Sequence, residues 1–441
     1  MLIFLLLFFE IVLLFISFFG CGRDLLAPSV VFCGMFVLST IFATLNIFTW
    51  NIDYSIDAVL IISLGIFSFI LAEISMRLLK NSFCHNIERK EEKSFSFHPI
   101  HIKWAIMLLF IVFNILISFW YYKEISRIVG ASGYFEGSLL HSFRVVSTES
   151  SFANNDSLAL NPLLNQCLKI VVANSYVFLY FFIRNFFIGK EKNEKVYSFL
   201  LVSITALIPS ILSGARGSLL QFLSAALVYS YITWHQIYGW NINISRKIIC
   251  RGILYFIVGI PVFYYSTFWL GREINLDLFS YISNYIGGSI QLFNLYMQDY
   301  DSLPQYFGEE SLISLCSFLN KFGADIPIIS LHLEPRGLTI GTIGNVYTFF
   351  RRPLHDFGIF GMITFTYIVG LLFSFIYEIK VKGKFGEKTV SSILIYGYLF
   401  YWVVIGSIDQ WSQSVISMTN LMEIIFMVII YKILTKVRIR I

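Results

Sequence analysis

Runs of about twenty apolar residues recur along the whole of this chain, and nothing else in the sequence limits its fold so strongly. A helix of that length crosses the ~30 Å hydrocarbon core of a bilayer. Lipid offers no partner for backbone polar groups, so spanning segments must satisfy them internally. Eleven spans are read, at residues 2–19, 29–50, 58–78, 104–121, 169–188, 196–212, 219–234, 253–270, 357–377, 390–406 and 415–434. Charged residues make up 13% of the chain and phenylalanine fills 46 positions, whereas soluble globules carry about a quarter charged residues. The expected fold is an all-α polytopic membrane protein, one integral membrane domain over 1–441, partnered by the lipid bilayer and not by nucleic acid. The first run has no basic residue before it and no convincing cleavage site, so it reads as a retained helix and not a signal segment.

Loop charge orients the spans. Arg77, Lys80, Arg89, Lys90, Lys93 and Lys103 follow the third span, Lys190, Lys192 and Lys195 the fifth, and Arg246, Lys247 and Arg251 the seventh. Lys380, Lys382, Lys384 and Lys388 follow the ninth, and Lys436, Arg438 and Arg440 come after the last. Every second loop is therefore basic, which marks the cytoplasmic side and puts the N-terminus outside. Two long segments, 122–168 and 271–356, and a tight turn at 213–218 then face outward. Connections of that length are usually functional or disordered; apolar patches at 312–319 and 326–331 suggest helices lying on the surface. The six cysteines fit neither a disulfide framework nor a zinc pattern, although a Cys167–Cys316 bridge stays open. Glu10, Glu73 and Glu423 lie within spans with no basic residue at matching depth, and are expected to make interhelical hydrogen bonds in preference to a proton relay.

Three groups of residues could carry chemistry. In Ser213-Gly214-Ala215-Arg216-Gly217-Ser218, Arg216 stands where a helix begins, and free N–H groups there favour an anion. Gly214 and Gly217 would let a phosphate approach the backbone; an arginine reaching lipid headgroups is the alternative. Arg272 could face the same mouth or pair with Glu273. The richest group is Asn345 to Gly358, containing Asn345, Tyr347, Thr348, Arg351, Arg352, Pro353, His355 and Asp356. Here the paired arginines call for an anionic partner on the outer side. His355 or Asp356 could take a proton, while Asp356 could equally cap the ninth span. Arg336 and His332 are secondary candidates, and His141 and Arg144 weaker ones. No His-Glu-x-x-His or Gly-x-Ser-x-Gly pattern is present, so no metal or cofactor is expected and charge stabilisation would fall to arginines.

The Ser-Gly-Ala-Arg-Gly turn at 213–217 resembles the Ser/Thr-Gly-Ser-Arg-Gly turn of the oligosaccharide repeat-unit polymerases, the O-antigen polymerase (Wzy) family. Asn345-Val346-Tyr347-Thr348-x-Phe350-Arg351, followed by Asp356-Phe357-Gly358, is similar to that family's most specific signature. Asp24 to Ser29 and Tyr285-Ile286-Gly287-Gly288 add weaker likeness, and Ala215 departs from the pattern by lacking a hydroxyl. The resemblance implies a GT-C-like, metal-independent glycosyltransferase of the Gram-negative inner membrane with its active site toward the periplasm. It would transfer a growing glycan from undecaprenyl pyrophosphate to the non-reducing end of a new undecaprenyl-pyrophosphate-linked oligosaccharide, alongside a Wzz-like chain-length regulator. Arg216 and Arg351 would then hold the pyrophosphate with Arg272 in support, and Asn345 and Tyr347 would position sugar. An O-antigen ligase shares the donor but carries a different outer arrangement. A lipid-linked oligosaccharide flippase would be expected to show internal symmetry, and no repeat is visible.

Overall fold

The computed structural model describes residues 2–84, 99–148, 158–189, 195–214, 216–240, 261, 264–265, 276–299, 304–329, 333–339, 342–382, 387–410, 414 and 416–436. Among them, eight helices are long and apolar enough to cross a membrane, which makes this an all-α, multi-pass membrane protein in character. The eleven expected spans are only partly matched. The eighth falls almost wholly outside the described residues. The sixth is broken into α7 (Lys195–Thr205) and α8 (Ile208–Leu212), with Pro209 in the first turn of the second piece, where a missing N–H costs nothing. The seventh forms α9 (Gly217–Tyr238), 22 residues long but not among the eight.

The chain divides into two compact units. The first comprises Met1–Ser94, Phe279–Phe385 and Leu399–Asn420. In it α1 (Leu2–Gly20), α2 (Pro28–Leu45) and α3 (Ile56–Cys84) run alternately up and down. Ser17 meets Ser29 at 2.7 Å, and the Thr40 hydroxyl donates to Glu10 at 3.0 Å. Glu73 accepts the Ser29 N–H at 2.8 Å, so both acids bond between helices as expected. Glu73 also pairs with Arg77 at 3.0 Å, one helical turn away, correcting the reading that it lacks a basic neighbour. Further on come α10 (Leu278–Gln298), α11 (Ile313–Asn320), the hairpin β1 (Arg336–Thr339) and β2 (Thr342–Gly344), and α12 (Arg351–Phe375). The hairpin adds a small antiparallel sheet, a feature outside the all-α expectation. Of the two surface patches, the first is helical over 313–319, and residues 326–329 of the second are irregular.

α12 runs parallel to α3 in close contact. Phe350 lies over Gly65, Ser68 donates to the Ile363 carbonyl at 2.7 Å, and Gly370 presses on Ala72 and Phe69. Arg77 then meets Glu378 at 2.7 Å, in the π-helical turn Ile376–Val381 that extends α12. Interlocking of small and aromatic residues fixes this register, because a ring seated on a glycine cannot slide by a turn. Lys382, Glu378 and Tyr377 gather with Asp24 at the same end. The alternation inferred from loop charge therefore holds for α1, α2, α3 and α12.

The second unit comprises Phe95–Leu278, Gly386–Tyr398 and Leu421–Ile441. α4 (Trp104–Ser132) continues beyond the expected end of its span and packs on α5 (Leu139–Thr148), so much of the segment 122–168 is helical. α6 (Pro162–Ile188) starts at an Asn161 cap whose side chain accepts from Leu163 and Leu164 N–H, satisfying donors that helix geometry leaves open. Tyr229 on α9 donates to the Leu394 carbonyl of α13 (Glu387–Leu399) at 2.9 Å. Tyr398 donates to Glu423 of α15 (Met418–Lys436) at 2.5 Å, as anticipated for that acid. A short helix α14 (Tyr401–Val404) and a 3-10 turn (Ile405–Ser407) complete the tenth span on the first unit's side of the division. Cys167 and Cys316 are both free thiols.

Candidate functional site

In the first unit the sequence group 345–358 becomes a buried electrostatic cluster at the mouth of α12. Helix α12 begins at Arg351, six residues earlier than expected, and breaks at Gly358, whose φ is 66° and ψ −172°. A left-handed φ there costs glycine nothing but would strain any residue with a Cβ. The break leaves Arg351 to Asp356 as a single helical turn and a half whose side chains all turn inward. Arg351, Arg352, His355 and Asp356 are each buried.

Packing holds this turn from two sides. Phe350 stacks on Phe36 with centroids 5.1 Å apart and lies edge-on to Phe32. The Phe349 N–H donates to the Gly406 carbonyl at 2.8 Å, while Ser407 is held by Ser39 at 2.8 Å and by Ser289 at 2.7 Å. These bonds bring Asp409 to Arg352, whose Nε lies 3.7 Å from the carboxylate.

Arg351 is enclosed. One guanidinium nitrogen bonds Glu310 and the other bonds Glu334 at 2.9 Å. Its face lies 4.6 Å from the Tyr296 ring centroid and 5.7 Å from that of Tyr347, a desolvated cation–π arrangement of roughly 0.5–2 kcal/mol. Tyr347 is fully buried and its hydroxyl donates to the Glu334 carbonyl at 2.7 Å. Burial, then the Glu334 charge, pushes its phenol up to about 12, so it remains a donor. Burial raises the Glu310 carboxyl above its ordinary range against the pull of Arg351, and raises Asp409 against Arg352. Arg336 on β1 bonds Asp299 at 2.8 Å and the Leu295 carbonyl at 3.2 Å, with its head 5.9 Å from Tyr296.

Asp356 and His355 take different partners in the fold. Asp356 does not cap its own helix, which has no side-chain cap. Its two oxygens accept the N–H groups of Glu310, at 3.3 Å, and Ser311, at 2.6 Å, and so hold the turn preceding α11. His355 Nε2 faces Glu309 at 2.8 Å. Glu309, His355 and Asp356 thereby bring three potential metal-ligand atoms within 4.8 Å of one another, where the sequence showed no metal pattern. Of the supporting residues expected, Thr348 is buried behind Arg351 and its carbonyl accepts the Arg351 N–H at 3.2 Å. Asn345 is exposed. Sequence alone does not mark Glu309, Glu310, Glu334 and Asp409 as site residues. Adjacent acids at 309 and 310 inside a long polar segment were the available signal, whereas Asp409 and Glu334 meet the arginines only through the fold.

Arg216 belongs to the second unit. It is buried and occupies the cap position of α9, as its helix-start placement anticipated. Gly214 has φ 66°, and the space where its Cβ would stand is filled by the Leu140 carbonyl, 3.1 Å away. That glycine lets α5 approach closely. Gly217 is exposed at the start of α9. Ala215, Arg272 and His332 lie outside the described residues.

No protein-family model, curated protein or solved structure matches the chain.

Proposed function

We propose that this chain is a glycosyltransferase that polymerises lipid-linked oligosaccharide repeat units, with its active site on the periplasmic side of a Gram-negative inner membrane. One observation carries it: the most distinctive stretch of sequence, Asn345 to Gly358, places two buried arginines at one helix mouth beside aromatic rings and a histidine. Buried guanidinium groups suit a diphosphate, which they bind in two-pronged fashion.

Arg351 already holds Glu310 and Glu334. A diphosphate that takes the guanidinium displaces these carboxylates, exchanging one anionic partner for another. Glu310, so released, is placed to accept the proton of the attacking acceptor hydroxyl. The new C–O bond forms at the anomeric carbon of the donor glycan, the bond to the pyrophosphate oxygen breaks, and undecaprenyl pyrophosphate leaves with that electron pair. Direct displacement inverts the anomeric centre. Asp356 acts as a positioning residue for the 309–311 turn. Arg216, in the second unit, stays a candidate anion-binding residue and is tested independently.

The experiment replaces Arg351 or Arg216 by alanine in a host lacking the native gene and resolves its lipopolysaccharide on a gel. Removing one preorganised charge contact costs roughly 3–4 kcal/mol, or 10²–10³ in rate. The ladder is expected to collapse to core plus one repeat. A core-only pattern from stably expressed protein would point to export or ligation, and an unchanged ladder would refute the assigned arginine.

A further inference from the structure

Charge bookkeeping at the mouth of α12 leaves two buried acids without an arginine or lysine partner. Four carboxylates are buried there, Glu309, Glu310, Asp356 and Asp409, against two buried guanidinium groups. Arg351 is bonded to Glu310 and Arg352 stands by Asp409. Glu309 and Asp356 remain, with His355 between them. Burying carboxylates costs several kcal/mol per ion, and a divalent cation at this point would offset that cost.

The three leftover side chains are also a ligand set. We propose that Glu309, His355 and Asp356 bind one divalent metal ion through two carboxylate oxygens and an imidazole nitrogen. Their donor atoms lie within 4.8 Å of one another. Each acid is already held by backbone groups that leave a lone pair free. Glu309 Oε2 accepts the Gln305 N–H at 2.9 Å, turning Oε1 toward His355 Nε2. Asp356 takes the Glu310 and Ser311 N–H groups, and a carboxylate oxygen can accept and ligate at once. Outer hydrogen bonds of this kind orient ligands in metal sites. The Ser311 hydroxyl, wholly buried, lies against the Asp356 carboxylate without a well-formed hydrogen bond. Binding replaces the His355–Glu309 hydrogen bond and presents a neutral imidazole to the ion.

A nitrogen with two oxygens suits manganese or zinc better than magnesium, which prefers oxygen alone. Three protein ligands leave coordination positions for phosphate oxygens. The ion would then share with Arg351 the charge of a diphosphate, although metal binding itself does not depend on glycosyl transfer.

The test uses the full chain, purified in detergent, stripped with chelator and dialysed against Mn2+. One ion per chain is expected, with nitrogen coupling in its pulsed EPR spectrum. Glu309→Gln and His355→Gln should each weaken binding at least about tenfold, the smallest loss typical of disturbing even outer partners. Substoichiometric retention, a spectrum without nitrogen coupling, or unchanged affinity in folded His355→Gln would overturn the site. Should that variant not fold, the wild-type spectrum decides. Stoichiometric metal with no glycan phenotype would overturn the glycosyltransferase and leave the ion; a dependent ladder without metal would do the reverse.

Discussion

Replacing Asp356 by alanine should loosen the turn before α11 far more than the loss of one exposed charge would. In the native fold its carboxylate accepts two backbone N–H groups, from Glu310 and Ser311, and both donor residues are buried. Each donor orphaned away from water costs roughly 1–3 kcal/mol, giving about 2–6 kcal/mol together. Partial entry of water favours the lower half, near ~3 kcal/mol. Because about 1.4 kcal/mol is a factor of ten in an equilibrium, hydrogen exchange at the amides of residues 310 and 311 should accelerate ~100-fold. Asp356→Asn keeps one acceptor oxygen and should lie between alanine and wild type. The measurement is exchange mass spectrometry on peptides covering 304–312 in detergent or nanodiscs, with α4 and α6 as unaffected references. If the alanine variant exchanges at the wild-type rate, Asp356 does not hold the turn and its role must be sought elsewhere.

Two further outcomes test the frame around the cluster. Gly65→Ala would put a Cβ 2.3 Å from the Phe350 ring, which is stacked on Phe36 and has little room to yield; overpacking of this kind should cost about 1–3 kcal/mol, read as a lower midpoint in thermal unfolding. Asp409, whose folded-state acidity is weakened by burial against the pull of Arg352, binds its proton more tightly folded than unfolded. Its contribution is therefore fully present below the ordinary value of 3.8 and is lost as pH rises through the raised one; Asp409→Asn should flatten that slope, and a variant with the wild-type pH dependence would contradict it.

Hydropathy alone determined that the chain lives in lipid, because a backbone in hydrocarbon has few ways to satisfy its polar groups. It likewise located α1, α2, α3 and most of α12, and the basic loops gave their alternating sense. The break in the sixth span is signalled by Pro209 and not by hydropathy, and the early start of α12 escapes both, since apolarity is blind to whether a polar helical turn continues the span. The sequence also draws attention to Arg351, Arg352, His355 and Asp356, whose types and density are unusual at the end of an apolar span. Their partners were decided by tertiary structure. Glu310 and Glu334 reach Arg351 from 41 and 17 residues away, and Asp409 reaches Arg352 through the pairing of Phe349 with Gly406. A side chain's type sets which bonds it can make, but its charge balance depends on everything buried with it, and only the fold brings those groups together.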